Sequence, residues 1–276
     1  MTLRTGRGDS FRTASWLERG VARVRGGRRG PAPRVLRRLH EIVLDHLPGD
    51  HLVSTLPGGE RVRVSAQYRQ MTWNPEEYQA FRNAVRPGAT VLDVGANVGA
   101  YTLLFAIWAG PNGRVFAFEP APASLAGLRR QLQLNQLAGR VEVVAAAIAG
   151  TVGTADFICD GASGANALGS GSATGAIPVA TTSLDAFCGE RGLSPDVIKI
   201  DVEGAELDVL RGGRATLAAP GVQAFLEFHP GAWAARGITA AAMRDELASQ
   251  RLVPEPLDPA IDMWNTEGIS VRLRHA

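Results

Sequence analysis

Short apolar runs alternate with amphipathic segments along the chain from residue 89 onwards. The runs have the length of buried strands, and the segments between them have the apolar spacing of helices. This alternation is typical of a parallel sheet with helical crossovers, and it predicts an α/β fold. The predicted strands are 90–94, 114–118, 141–146, 196–201 and 223–228, and the predicted helices are 100–109, 122–137, 183–191 and 205–218.

Two further patterns predict additional strands. Runs at 251–257 and 268–274 predict an antiparallel pair of strands at the sheet edge. Runs near 154–158 and 176–180 predict a hairpin whose connection, residues 159–175, is rich in glycine, serine and alanine. A connection of this length inside a compact domain is either disordered or functional.

The region before residue 80 predicts a separate cap. Apolar positions spaced by three and four predict a short helix over 34–47, and alternating runs around a Pro-Gly-Gly turn predict a hairpin over 51–66. Asn74 and Pro75 predict the start of another helix, as cap and first residue. We therefore expect a basic, disordered leader over 1–33, a cap over 34–79 and the α/β domain over 80–276.

Composition narrows the class of protein. Hydrophobic residues make up 45% of the chain and charged residues 20%, which excludes wholesale disorder. The sequence contains no apolar run long enough to span a membrane and no signal peptide, so we expect a cytoplasmic protein. Two cysteines, Cys159 and Cys188, cannot form a disulfide framework or a zinc site by themselves.

The net charge of +2 hides an uneven distribution. Residues 1–40 contain 11 arginines but only two acidic residues, whereas the rest of the chain is acidic. Such a leader could contact phosphates, but no aromatic interleaving or nucleic-acid motif accompanies it. We favour a solvated leader and keep nucleic-acid binding as an alternative. Lys199 is the only lysine among 29 basic residues, which indicates that this position requires lysine.

A glycine turn follows the first predicted strand in the segment VLDVGANVGAYT, residues 91–102. Small residues at this point let the backbone approach a ligand, and the helix start offers unpaired N–H groups. A dinucleotide fingerprint would need glycine at Asn97 and at Ala100. The broken fingerprint and the lack of a Tyr-x-x-x-Lys pair weigh against the alternative of a nicotinamide-dependent oxidoreductase.

Two carboxylates accompany this turn. Glu119 follows the second strand, where an acid can accept both ribose hydroxyls of a nucleoside. Asp93 would repel a pyrophosphate but suits a ligand with an amino group and a sulfonium. S-adenosylmethionine fits these requirements, and the predicted cofactor-binding residues are Asp93, Gly95, Asn97, Gly99, Tyr101, Thr102, Glu119 and Asp201.

Three motifs together resemble the FkbM family of S-adenosylmethionine-dependent O-methyltransferases: DVGANVGAYT, Phe-Glu-Pro at 118–120, and VIKIDVEGAE at 197–206. Supporting matches are Ser163-Gly164-Ala165-Asn166, Thr182-Ser183-Leu184-Asp185, Val209-Leu210-Arg211-Gly212 and Leu226-Glu227-Phe228-His229-Pro230. The resemblance implies a class I, Rossmann-like, doubly wound sheet. It also implies methyl transfer to a hydroxyl of a sugar or secondary metabolite, in natural-product or glycan tailoring.

Acidic residues and a histidine follow the fourth and fifth predicted strands. Because neighbouring parallel strands end at the same edge, we expect these side chains to meet near the reacting methyl. The predicted catalytic residues are His229, Asp201, Glu203 and Glu227. His229 is the preferred general base because imidazole titrates near neutrality, and Asp201 is the alternative base. No metal is expected, although a magnesium or calcium ion on Asp201, Glu203 and Glu227 remains an alternative.

Four residues are assigned to substrate binding: Ser163, Asn166, Lys199 and Glu206. The resemblance implies that the loop with Ser163 and Asn166 lies near the site. Lys199 could instead pair with one of the acids, and Glu206 could instead interact with the helix macrodipole. The expected partner is a small hydroxylated acceptor, whose identity the sequence leaves open. The sequence also leaves open whether the protein forms a homo-oligomer.

Overall fold

The computed structural model describes residues 51–159, 166–168 and 176–276. The chain divides into two units, Met1–Thr72 with Gln133–Gln136, and Trp73–Leu132 with Leu137–Ala276. The predicted leader over 1–33, the predicted helix over 34–47 and Ser163 lie outside the described residues.

The first unit contains a β-hairpin. Strands β1 (His51–Thr55) and β2 (Arg61–Ser65) pair antiparallel, and a 3-10 helix follows at Ala66–Tyr68. In the turn, Gly59 has a φ of 87°, a left-handed conformation that favours glycine. The hairpin predicted over 51–66 is therefore confirmed.

The second unit is built around a seven-stranded sheet. Its strands are β3 (Thr90–Val94), β4 (Arg114–Phe118), β5 (Val141–Val144), β10 (Val197–Ile200), β11 (Gln223–Phe228), β12 (Leu252–Pro256) and β13 (Ile269–His275). They lie in the order β12-β13-β11-β10-β3-β4-β5. Strands β11, β10, β3, β4 and β5 run parallel, whereas β13 is antiparallel to both of its neighbours. The predicted Rossmann-like, doubly wound α/β sheet with an antiparallel edge pair is confirmed.

The helices of this unit are α1 (Pro75–Ala84), α2 (Ala100–Ala109), α3 (Pro122–Leu134), α4 (Leu184–Arg191), α5 (Glu206–Gly212), α6 (Arg214–Leu217), α7 (Pro230–Ala235) and α8 (Ala240–Ser249). Asn74 caps α1 as predicted, because its side chain accepts hydrogen bonds from the N–H groups of Glu76 and Glu77. The helix predicted over 205–218 is two helices, since the backbone at Gly213 leaves the helical conformation, with φ −121° and ψ 14°. Within the described part of the chain, no helix is long and apolar enough to cross a membrane.

A second, four-stranded sheet lies within the same unit. Its strands are β6 (Ala147–Ile148), β7 (Gly153–Cys159), β8 (Asn166–Leu168) and β9 (Ala176–Thr182), in the order β6-β9-β7-β8. Strands β7 and β9 pair antiparallel, which confirms the predicted hairpin. Residues 166–168, predicted as loop, form a strand instead, because their backbone pairs with the end of β7. Cys159 ends β7, and residues 160–165 and 169–175 of that connection lie outside the described residues.

The order of strands places a crevice beside β3. From β3 the chain proceeds outward to β4 and β5, and it later returns to the other side of β3 to form β10 and β11. Ligands of doubly wound sheets bind at this reversal, beyond the carboxyl ends of the strands. The apolar side chains of these strands are fully buried, as at Leu92, Ile198 and Leu226. Asp93 and Lys199 are buried polar residues near the carboxyl ends of β3 and β10.

Candidate active site

A cleft opens at the carboxyl ends of β3, β4 and β10. Gly95 and Asn97 line it after β3, Glu119 after β4, and Asp201 and Glu203 after β10. Apolar side chains from the second sheet form part of the wall, among them Ala147, Ile148 and Phe157. The structure thus brings five of the predicted site residues into one cleft.

The turn after β3 requires glycine at its first position. Gly95 has a φ of 78°, and a Cβ atom there would lie 1.7 Å from the carbonyl oxygen of Asp201. Its N–H and that of Ala96 both donate to the carbonyl of Phe118, at 3.0 and 2.9 Å. Gly99, with a φ of 90°, then caps α2. The first turn of the sheet is therefore packed directly against the end of β10.

Glu119 is fixed at the cleft wall by two backbone donors. The N–H of Asn97 donates to Oε2 at 2.9 Å, and the N–H of Ala121 donates to Oε1 at 2.7 Å. Burial raises the pKa of this carboxyl, while the two donors act in the opposite direction. A carboxylate has about four acceptor sites, so capacity remains for the hydroxyls of a ligand.

Four of the predicted cofactor residues do not line the cleft: Gly99, which caps α2, and the side chains of Asp93, Tyr101 and Thr102. Asp93 is 1% exposed and accepts a hydrogen bond from Thr102 Oγ1 at 2.5 Å. Burial raises the pKa of Asp93. Thr102 is itself fully buried, and the hydroxyl of Tyr101 donates to Glu77. Asp93 and Thr102 are thus bonded to each other, and Tyr101 is bonded to α1.

Lys199 joins the ends of β3 and β10. Its Nζ donates to Asp201 Oδ2 at 3.2 Å and to the carbonyl of Gly95 at 3.4 Å, and lies 3.6 Å from Asp93 Oδ1. Burial opposes the ammonium charge, but Asp201 and Asp93 more than offset it and raise the pKa of Lys199. The structure therefore gives Lys199 the ion pairs considered as the alternative to substrate contact.

His229 lies among four carboxylates. Its Nδ1 is 2.7 Å from Glu206 Oε1, and its Nε2 is 3.7 Å from Glu227, 3.8 Å from Glu203 and 3.9 Å from Asp201. Burial opposes the imidazolium charge, but Glu206, followed by Asp201 and Glu227, outweighs burial and raises the pKa of His229 to about 9. The four predicted catalytic residues thus meet at one point.

Glu206 lies beneath His229, away from any surface that a substrate could contact. Its side chain is 0% exposed. Oε1 also accepts from the N–H of Gly204 at 3.0 Å, and Oε2 accepts from Trp233 Nε1 at 2.6 Å. We therefore reassign Glu206 from substrate binding to the support of His229. Sequence reasoning missed Trp233, whose one signal is its position four residues after His229.

The acidic group, formed by Asp201, Glu203, Glu206 and Glu227 around His229, also changes the set of candidate cation ligands. Donor atoms of Asp201, Glu227 and His229 all lie within 4.8 Å of one another, so the histidine replaces Glu203 in the set expected from sequence. Burial, and then the charge of Asp201, raises the pKa of Glu227 to about 8, while burial raises the pKa of Glu203. Ser163 lies outside the described residues, and Asn166 is described through its backbone pairing with Cys159.

Comparison with known proteins agrees with this geometry. The family model of the methyltransferase FkbM domain matches residues 93–252. The chain is 48% identical over 58 residues to 31-O-demethyl-FK506 methyltransferase FkbM of Streptomyces tacrolimicus, covering 21% of this chain and 22% of that protein. It is 33% identical over 150 residues to 2-O-methyltransferase NoeI of Sinorhizobium fredii, covering 48% of this chain and 60% of that protein.

A solved structure is also similar in part. Methyltransferase FkbM from Methylobacillus flagellatus KT covers 72% of this chain and 50% of its own, with 16% identity and a TM-score of 0.43. The chain spans less than two thirds of the length of the two curated relatives. The family model, however, covers more than half of the chain and includes the turn, the acidic group and His229. The chain belongs to the FkbM methyltransferase family.

Proposed function

We propose that this protein transfers a methyl group from S-adenosylmethionine to a hydroxyl group of a small molecule. The observation that carries the proposal is the meeting of a nucleoside-type cleft, with Gly95 and Glu119, and the acidic group around His229. Asp201 belongs to both, since it lines the cleft and lies 3.9 Å from His229. Two relatives whose names state O-methyl transfer support the same reaction.

The side chains of the cleft suit this cofactor. The Glu119 carboxylate is held at the end of β4, where a ribose would be bound in a doubly wound sheet. Asp201 is 27% exposed and offers a carboxylate to an amino group. The apolar wall of Ala147, Ile148 and Phe157 suits a flat base. When bound, the cofactor supplies an electrophilic methyl group on a sulfonium.

His229 is the proposed general base. Methylation of a hydroxyl releases a proton, and an alcohol is a poor acid, so a positioned base is needed. Nε2 is the free nitrogen of the imidazole, because Nδ1 is bound to Glu206. The raised pKa makes the imidazole a stronger base but leaves about 1% of it neutral at pH 7. Asp201 is the alternative base, since it too borders the cleft.

The acceptor that we propose is a sugar or a secondary metabolite, methylated in natural-product or glycan tailoring in the cytoplasm. One relative is named for 31-O-demethyl-FK506 and another for a 2-O position, which is the support for a hydroxyl acceptor. A nicotinamide-dependent oxidoreductase is the alternative enzyme, and a nucleic-acid-binding protein is the alternative of another class.

A divalent cation is not part of the proposal. The Lys199 ammonium already pairs with Asp201 Oδ2 at 3.2 Å, and His229 Nδ1 is already bound to Glu206 at 2.7 Å. The ammonium thus occupies a carboxylate that a bound cation would need. We therefore predict that exhaustive chelation leaves turnover within twofold of the untreated enzyme. Loss of turnover that magnesium or calcium restores would contradict this prediction.

The first experiment is a calorimetric titration of the full chain with S-adenosylhomocysteine, with NAD as the parallel control. Micromolar binding of S-adenosylhomocysteine and no heat from NAD is the expected result, since Glu119 and the Gly95 turn suit a nucleoside without a pyrophosphate. The reverse result would overturn the proposal in favour of the oxidoreductase. Methyl transfer from radiolabelled S-adenosylmethionine into a panel of sugars and hydroxylated macrolides then tests the acceptor class.

A further inference from the structure

We propose that Glu206 is the positioning residue for His229. It holds the imidazole by Nδ1, so that Nε2 is the nitrogen that receives the proton of the acceptor hydroxyl. This inference rests on the proposed function, because it assigns a residue to the same methyl transfer. It gives a role in proton removal to a side chain that touches neither cofactor nor acceptor.

The hydrogen bonds of Glu206 fix the direction of the imidazole. Both oxygens of Glu206 accept hydrogen bonds, from the N–H of Gly204 and from Trp233 Nε1, and the 2.7 Å contact with His229 completes this acceptor role when Nδ1 carries the proton. In the neutral ring, Nε2 is then without a proton and faces Asp201, Glu203 and Glu227 at 3.7–3.9 Å. The same arrangement of carboxylate and imidazole sets the tautomer of the base in Ser-His-Asp enzymes.

The carboxylate itself has little freedom to move. Its two oxygens accept from three donors: the N–H of Gly204, the Nδ1 of His229 and the Nε1 of Trp233. Trp233 is 1% exposed and packs edge-on against Phe228, with ring centroids 5.1 Å apart. Glu206 is thereby anchored in the apolar core and presents one oxygen to the ring above it.

Carboxylates face both nitrogens of the imidazole. Asp201 and Glu203 follow β10, Glu227 lies on β11, and Glu206 begins α5. Lys199 balances part of this charge through its ion pair with Asp201. The three carboxylates near Nε2 are partly exposed, whereas Glu206 is wholly buried. Only the buried carboxylate can therefore hold the ring in one orientation without competition from water.

The variants separate hydrogen bonding from folding. In Trp233→Phe, the donor to Oε2 is absent, so the amide of Glu206→Gln can place its oxygen towards Nδ1 and its NH₂ group towards the phenyl ring. On that background, Glu206→Gln keeps an acceptor for Nδ1, and Glu206→Leu removes it. The buried acid Glu246 on α8, which pairs with Arg214 at 2.5 Å, provides a matched control in Glu246→Gln.

The first readout is the tautomer of His229, measured by ¹⁵N NMR on histidine-labelled protein and assigned through the signals lost in His229→Gln. We expect a protonated Nδ1 and a bare Nε2 in the neutral ring of the wild type, of Trp233→Phe and of the glutamine double variant. The leucine double variant should lose this preference. A neutral wild-type ring that carries its proton on Nε2 would overturn the inference.

The second readout is methyl transfer from radiolabelled S-adenosylmethionine to the best acceptor of the panel. The leucine double variant should transfer at least tenfold more slowly than Trp233→Phe, and the glutamine double variant should recover part of that loss. S-adenosylhomocysteine affinity should stay within threefold throughout, and Glu246→Gln should lower the Tm without changing the tautomer. Equal rates in the leucine variant and its background would refute the role. Absence of binding and transfer in the wild type would instead count against the proposed function.

Discussion

Among the glycines that the structure describes, Gly95 is the one at which an added Cβ would meet the closest neighbour. A methyl group there would overlap the Asp201 carbonyl, and the φ of 78° disfavours any side chain. We expect Gly95→Ala to lower S-adenosylhomocysteine affinity at least tenfold, because the turn and the end of β10 must move apart. Gly139→Ala is the matched control, since a Cβ at that glycine meets no atom within 4 Å. Equal affinities in calorimetry would contradict the expectation.

His229 sets the pH dependence at the same scale. A base acts in its unprotonated form, so a pKa of about 9 means that turnover rises with pH and levels off above that value. His229→Gln should lower turnover about 100-fold or more and remove this rise, while S-adenosylhomocysteine affinity stays nearly intact. Rates measured from pH 6 to 10 check both points. An unchanged rate in the variant would exclude His229 as the base.

The proximity of two site residues could be predicted where the order of the strands alone determines it. Asp201 and His229 follow adjacent parallel strands, so their proximity could be inferred from the order of motifs. The same reasoning could not separate Glu203, at the cleft, from Glu206, which is wholly buried three residues later. Between them Gly204 adopts a φ of 104°, which redirects the chain, and no spacing rule reveals that change.

At the scale of elements, the Thr-Ser-Leu-Asp motif has a structural explanation. Ser183 caps α4 by accepting from the N–H of Ala186, and Asp185 accepts from the N–H groups of Ala215 and Thr216 at the start of α6. We expect Ser183→Ala and Asp185→Ala each to cost about 1 kcal/mol of stability. Urea denaturation measures the cost, and calorimetry should give unchanged S-adenosylhomocysteine affinity. A tenfold loss of affinity would instead tie the motif to the ligand.

Most elements were predictable because their signals are local. The strands of the parallel sheet are apolar runs, and Asn74 and Ser183 are ordinary caps. Helices α7 and α8 were missed: α7 is a single short helix that begins at Pro230, and α8 is alanine-rich with weak periodicity. Strand β8 exists through pairing with β7, a partner that the local sequence does not reveal.

At the scale of the whole molecule, the arginine-rich segment and the candidate active site lie in different parts of the sequence. The arginine-rich stretch ends before residue 41, whereas the residues of the cleft and the acidic group lie between 93 and 229. Deletion of residues 1–33 should therefore leave S-adenosylhomocysteine affinity and turnover within twofold. The measurement is calorimetry and transfer assay on the shortened chain. A nucleic-acid-binding protein would instead lose salt-dependent affinity for an oligonucleotide.

The ion pairs of Lys199 have a practical consequence. Because Lys199 is the sole lysine and its side chain is 8% exposed, amine-directed dyes and cross-linkers find no readily accessible ε-amine on this chain. Reaction of Lys199 with such a reagent would report transient opening at the ends of β3 and β10. Protection of this amine by S-adenosylhomocysteine, followed over time as label on the peptide that contains Lys199, would then measure occupancy without any knowledge of the acceptor.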